Sequence, residues 1–265
     1  MCLLLIAVQV HPGSPLILAA NRDEFHHRPT RPLDFWLPQG GILAGRDLEA
    51  GGTWLGVSPD GRLAAVTNYR EPDRQLAQAP SRGHLVRDFL EGPYEADAYL
   101  ARLRPVAAHY NGFNLILGRP ARLVYFSNRA PQAQELAPGI HGLSNHLLGT
   151  PWPKIRRARR ALARLIATPA DLTVNALLGM LADTITPPDS ELPDTGIGLE
   201  WERLLSSIFI RSPAYGTRSS SVIIVSSNGT WRFVEQTHEP ESQGPRHEFE
   251  FQLPLTAATA ASARS

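Results

Sequence analysis

The sequence is short of cysteine, of lysine and of net charge, and each shortage excludes something. Of 265 residues only Cys2 carries a thiol, so no internal disulfide forms and no thiolate cage holds a metal. That usage fits a reducing compartment, and the expected location is cytoplasmic. Of 26 basic residues only Lys154 is lysine; with abundant Ala and Pro, this arginine skew points to a GC-rich bacterial genome. A formal net charge of +1 leaves no field to steer a nucleic acid or another highly charged partner. Long apolar runs are missing too. The longest at the start, residues 2–8, is far below the roughly 20 residues of a membrane span. It lacks a basic leader and is broken by Gln9, His11 and Pro12, so it reads as a buried strand. A lipoprotein signal would place its cysteine after the apolar run, and here it comes before.

What is present describes a globular core, with 43% hydrophobic and 19% charged residues. Strand-like runs cover residues 3–10, 15–20, 41–44, 53–57, 63–67, 113–117 and 123–126, then 219–225, 230–235 and 248–253. Turn chemistry at His11-Pro-Gly-Ser14 and Ser58-Pro-Asp-Gly61 joins the early ones. Helical spacing predicts helices over 81–90, 94–103, 153–166 and 171–183, the third with Ile155, Ala158, Leu162 and Leu165 on one face. A Pro- and Asp-rich loop at 186–198 has the length of a lid. Strands, then helices, then strands predict one α+β domain over 1–254, with helices outside two packed sheets and a low-complexity tail from 255 to 265.

Cys2 is the sharpest chemical feature. Removal of Met1 would leave a cysteine bearing both a thiol and a free α-amine, whose pKa of about 7.7–8.0 suits a general base near neutrality. Taken by position alone, a small apolar residue opening a strand explains Cys2 about as well. A hairpin through the His11–Ser14 turn would bring Asn21-Arg22-Asp23-Glu24 to the same sheet edge. There an arginine can stabilise a thiolate and an aspartate can hold the amine.

Met1-Cys2, Asn21-Arg-Asp-Glu-Phe25, Arg28-Pro29, Gly51-Gly-Thr-Trp-Leu-Gly56, Thr67-Asn-Tyr-Arg70, Gly142-Leu-Ser-Asn145, Pro151-Trp-Pro-Lys154 and Tyr215-Gly-Thr-Arg-Ser-Ser220 occur in order. Together they resemble the NRDE family, which includes transport and Golgi organisation protein 2. That family is in turn similar to N-terminal nucleophile hydrolases of the choloylglycine hydrolase and penicillin acylase type. The resemblance implies a four-layer αββα sandwich of two antiparallel sheets flanked by helices. It also implies a nucleophile at Cys2, an amine-orienting carboxylate at Asp23, amide donors at Asn68 and Asn145, and a supporting arginine at Arg218. In bile-salt hydrolases the early arginine stands three residues before the aspartate, where this chain has Ala20. Here Arg22 directly precedes Asp23, and strand alternation places the two on opposite faces.

Trp54 and Tyr69 are expected to border a substrate pocket. The glycine-rich stretch 45–56 lacks the Gly-Lys-Ser/Thr ending of a P-loop and reads as a turn plus a core tryptophan in a strand. His26-His27 has no companion cluster at metal-ligand spacing, so no resident metal or cofactor is expected. The arginines from 156 to 164 read as a solvated helix face, without the interleaved aromatics of a nucleic-acid site. The leading expectation is a hydrolase or acyltransferase working through a Cys2 acyl-enzyme on a small apolar amide or thioester. The alternative is a non-catalytic carrier of haem or of a lipid or acyl-CoA, with His26, His27 or Cys2 touching the haem.

Overall fold

In chain order the strands are β1 (Cys2–His11), β2 (Ser14–Phe25), β3 (Thr30–Leu37), β4 (Gly40–Asp47), β5 (Leu55–Val57), β6 (Leu63–Asn68), β7 (Phe113–Arg119), β8 (Arg122–Ser127), β9 (Gln134–Glu135), β10 (Gly139–Leu143), β11 (Tyr215–Val225), β12 (Thr230–His238) and β13 (Gln243–Gln252). The α-helices are α1 (Gly83–Glu91), α2 (Ala96–Leu103), α3 (Pro153–Ala167), α4 (Val174–Leu181) and α5 (Leu199–Leu204). The structure, a computed structural model, describes residues 2–37, 40–168, 170, 172–240 and 242–253, with Cys2 and Gly40 by backbone course alone.

The strands form two antiparallel sheets. One has the order β10-β1-β2-β11-β12-β13, and the other runs β3 to β9 in sequence. Alternation along β1 and β2 explains how the layers stack. Leu4, Ile6, Val8, Leu16 and Leu18 face the second sheet, where they meet Leu43, Leu55, Leu63 and Ile116. Leu3, Leu5, Ala7, Ile17 and Ala19 face the other way, onto Ile155, Ala158 and Leu162 of α3 and Leu177 and Leu181 of α4. On the far side, Ile42, Ala64, Leu115 and Val124 meet α1 and α2 through Val86, Phe89 and Leu100. The result is the expected αββα sandwich. Because β1 and β2 are covered on both faces, they read as unbroken apolar runs.

Local signals set the helix ends. Pro153 occupies the first turn of α3, where its missing N–H costs nothing. The Thr173 side chain caps α4 by accepting from the Ala176 N–H at 3.1 Å. No helix among the described residues is long and apolar enough to cross a membrane.

Several expectations are corrected. β2 does not stop at Ala20 but runs through the whole Asn21–Phe25 segment, because β11 pairs with it as far as Phe25. β3, β9, β10 and α5 were not anticipated. Trp54 lies in a bend just before β5 rather than in a strand. The 186–198 loop, by contrast, has the extent expected of it, and carries Arg156–Glu191 and Arg203–Asp189 ion pairs at its surface and a Thr195 hydrogen bond to Glu202. The expected helix start at Asp171 and the tail from 255 lie outside the described residues.

Candidate active site

The β1–β2 register sets Cys2 opposite Arg22 and Leu3 opposite Asn21. The three polar residues that follow Ala20 then part company. Asn21 is fully buried; its amide donates to the Leu181 and Ile208 carbonyls at 2.9 and 2.8 Å, and its oxygen accepts from Ser220 Oγ at 2.7 Å. It ties the sheet to the helix layer. Arg22 points to the other face, its guanidinium 4.2 Å above the Trp54 ring and its Nη2 3.8 Å from Asp47. Its Nη1 is buried with no hydrogen-bond partner among the described residues.

Asp23 is 1% exposed and accepts from Thr217 Oγ1 at 2.7 Å. Burial pushes its pKa up. The positive charges of the chain's amino terminus, Lys154 and Arg22, with the Thr217 hydrogen bond, pull it back down. Thr217 is itself oriented by the Ile210 N–H at 2.9 Å. The register of β11 on β2 shifts between Thr217 and Ser219. Arg218, within that shift, donates from Nη1 to the carbonyls of Phe25 and Arg28 at 2.8 and 3.2 Å. Burial, followed by the nearby Arg22 charge, lowers the Arg218 pKa. Arg218 thus staples the end of β2 and is absent from the cavity wall described next.

A cavity of about 450 Å³ opens beside this end of the sheet, walled by Arg22, Asp23, Glu24, Arg28, Asp47, Thr53, Trp54, Asn68 and the start of α1 around Arg82–His84. Arg28 is satisfied by Asp47 at 2.7 Å, and that bond holds the Asp47 carboxyl below its usual range against the effect of burial. Asn68 ends β6 on this wall. Behind it lies Asn145, fully buried, whose amide donates to the Asn68 carbonyl at 3.3 Å. Asn145 therefore braces the wall and is not among the residues that line it. Tyr69 turns away from the cavity, its ring 4.8 Å from that of His146. Thr150 Oγ1 donates to the Leu147 carbonyl, so it accepts from His146 Nδ1; His146 Nε2 is then free to accept from the Tyr69 hydroxyl at 2.8 Å. Burial lowers the His146 pKa, in keeping with a neutral ring.

The structure thus gathers Cys2 by register, Arg22, Asp23, Asn68, Trp54 and, one layer back, Asn145. Tyr69 and Arg218 stand aside. The other sequence candidates lie elsewhere. His26 Nε2 bonds the Ser212 carbonyl at 3.0 Å, and the His27 ring lies against Phe25. No three His, Cys, Asp or Glu side chains are grouped as metal ligands among the described residues. Arg156 and Arg157 pair with Glu191 and Asp183 on the helix surface.

Four participants escaped the sequence reading: Thr217, Lys154, Arg70 and Glu202. Lys154, the chain's single lysine, is 4% exposed, and its Nζ donates to the Leu205 carbonyl at 2.8 Å. A lone lysine inside Pro151-Trp-Pro-Lys154 was the available signal. Arg70 and Glu202 form a buried ion pair at 2.7 Å. Thr217 was passed over in favour of its neighbour Arg218, though only one of two adjacent strand residues can face Asp23.

The architecture matches that of a known protein. The N-acylethanolamine-hydrolyzing acid amidase ortholog of Caenorhabditis elegans superposes with a TM-score of 0.51, over 84% of this chain and 92% of that one, at 14% identity. The likeness is one of fold. Sequence relationships are closer. The Transport and Golgi organization protein 2 homolog of Bos taurus is 38% identical over 257 residues, covering 89% of this chain and 93% of that protein. The Homo sapiens homolog is 37% identical over the same shares. A family model described as Transport and Golgi organisation 2 matches residues 1–240, which takes in both sheets up to the end of β12 and every residue of the cavity wall. The chain is a member of the Transport and Golgi organisation 2 family.

Proposed function

We propose that the protein is an N-terminal cysteine hydrolase or acyltransferase for an amide or thioester with an apolar acyl group. One observation carries the reading. The β1–β2 register pairs Cys2 with Arg22, and Arg22 and its neighbour, the buried Asp23, line the cavity that Asn68 and Trp54 also wall. Acyl transfer needs a nucleophile, a base and donors for the developing oxyanion, and each has a candidate here.

With Met1 removed, the Cys2 α-amine takes the thiol proton as sulfur attacks the carbonyl carbon. The amide of Asn68 donates to the oxyanion of the tetrahedral intermediate. Collapse expels the leaving amine or thiol, which takes that proton from the α-ammonium and leaves a Cys2 thioester. Water, or an acceptor nucleophile, then attacks the thioester, gives its proton to the amine, and restores the thiol. Asp23, flanked by Lys154 and bonded by Thr217, holds the ammonium form between these steps. The fold shared with the amidase neighbour supports the class of reaction.

Intact-protein mass spectrometry with a β-lactone probe tests the reading. The expected result is a mature chain starting at Cys2 that gains one acyl mass, and a Cys2→Ala chain that gains none. Retained Met1, or a mature Cys2 that never labels, rejects it.

A further inference from the structure

The cavity wall ends at Asn68, and what holds Asn68 in place leads away from the cavity to Arg70. Arg70 is buried at 3% exposure, with Nη1 2.7 Å from Glu202 Oε2 and its guanidinium carbon 4.9 Å from the Trp152 ring centre. Its backbone N–H donates to the Asn145 carbonyl at 2.8 Å, and Nη2 reaches the Asn145 side-chain oxygen at 3.5 Å. Ser144 Oγ donates to that same oxygen at 3.2 Å. The cation and the hydroxyl together fix which way the Asn145 amide faces: oxygen toward Arg70, nitrogen toward the Asn68 carbonyl. Glu202 in turn uses its second oxygen to accept from the Thr195 N–H at 2.8 Å. Glu202 of α5 and Asn145, two residues past β10, therefore meet on the guanidinium of Arg70, just past the end of β6, and Glu202 extends the link to the Pro-rich segment before α5.

We propose that Arg70 is a positioning residue for the acyl transfer, setting Asn68 through Asn145, and that Glu202 recruits the 195–202 segment as a fixed support of that geometry. The proposal rests on the Cys2 reading. A buried ion pair is a poor device for stability alone, since apolar residues of similar volume commonly replace one at little cost. Such a pair is suited to holding an orientation. A donor displaced by about 1 Å can cost on the order of 100-fold in rate.

The experiment follows acylation of the mature protein by the β-lactone probe at increasing probe concentration, separating the maximal rate from the half-saturating concentration. Arg70→Lys keeps the charge beside Glu202, but its single ammonium cannot also reach Asn145. Arg70→Met/Glu202→Met removes both charges and keeps the core filled. The expected result for both is wild-type thermal unfolding, a maximal rate down by about 100-fold, and a half-saturating concentration little changed. If either variant folds and acylates at the wild-type rate, or if only the half-saturating concentration moves, Arg70 is merely structural and the proposal fails. If the lysine variant folds and the double variant does not, the lysine variant alone decides. A wild-type protein that never acylates rejects the Cys2 reading and this proposal with it; an active wild type with an active lysine variant rejects this proposal alone.

Discussion

Asn68 and Asn145 carry the same side chain and stand in contact, yet their surroundings separate what losing each would do. Asn68 is half-buried on the cavity wall, so Asn68→Ala is expected to leave stability near wild type. It should lower the maximal acylation rate by about 10²–10³-fold, the usual cost of one oxyanion donor. Asn145 is fully buried, and its loss strands the Asn68 carbonyl. Asn145→Ala should therefore cost about 1–3 kcal/mol in urea unfolding as well as slowing acylation. Equal stability losses in the two variants would contradict this division. Arg22 offers a different test. Its charge is buried, stacked on Trp54, and only loosely paired with Asp47 at 3.8 Å. A cation opposite the thiol lowers the thiol pKa. Arg22→Met should shift the acid limb of the pH–acylation profile to higher pH, and an unmoved limb would remove Arg22 from the chemistry.

At the scale of elements, the glycines of the 45–56 stretch are explained by close approach rather than by any phosphate loop. A Cβ on Gly52 would lie 2.5 Å from the backbone carbon of Gly83, where the loop crosses the start of α1. A Cβ on Gly45 would lie 2.4 Å from the Trp54 ring, which is already held under Arg22. Gly52→Ala should lower stability by about 1–3 kcal/mol, as overpacking does, in urea titration. Gly45→Ala should instead displace Trp54, with a shift in tryptophan fluorescence and slower acylation. The same elements show what the sequence could and could not reveal. β1 and the core of β2 were legible because both of their faces are apolar. The Asn21–Phe25 extension was not, because its polar side chains are satisfied by partners nearly 200 residues away, such as Ile208 and Thr217. β3 was hidden by Pro32 and Asp34, which an edge strand tolerates and a central one would not. In the site, Cys2 and Asp23 could be read from a hairpin and a motif. The Arg70–Glu202 pair could not, because it joins residues 132 apart in the chain: Arg70 closes the Thr67-Asn-Tyr-Arg70 motif, but nothing local names Glu202 as its partner.

Across the whole molecule, a buried glutamate and a half-buried histidine bind the layers and act on stability with opposite signs in acid. Glu235 on β12 accepts from the Leu33 N–H of β3 at 2.8 Å, linking an edge of one sheet to the other, and burial raises its pKa above the ordinary carboxylate value. Unfolded chains lose that proton first, so this term weakens the fold as pH rises from about 4.5 toward the folded value. His238 at the end of β12 lies 2.9 Å from Ser220 Oγ, whose own proton goes to Asn21. The ring is therefore the donor through Nε2, and burial with the nearby Arg211 charge depresses its pKa to about 4. Between about 4 and 6.5 the unfolded state binds the extra proton, so this term is fully favourable above 6.5 and is lost as pH falls toward 4. Substituting one group at a time separates the two. His238→Gln keeps a donor for Ser220, so the stability advantage of wild type over this variant should shrink as pH falls from 6.5 to 4 and stay constant above 6.5. Glu235→Gln keeps an oxygen for Leu33, so this variant should gain on wild type as pH rises from 4.5. Urea midpoints for the three proteins at several pH values supply the measurement. Parallel midpoint curves for wild type and His238→Gln would mean that the histidine titrates in the fold as it does in water, and the ordered Asn21–Ser220–His238 chain that joins the helix layer to the end of β12 would lose its support.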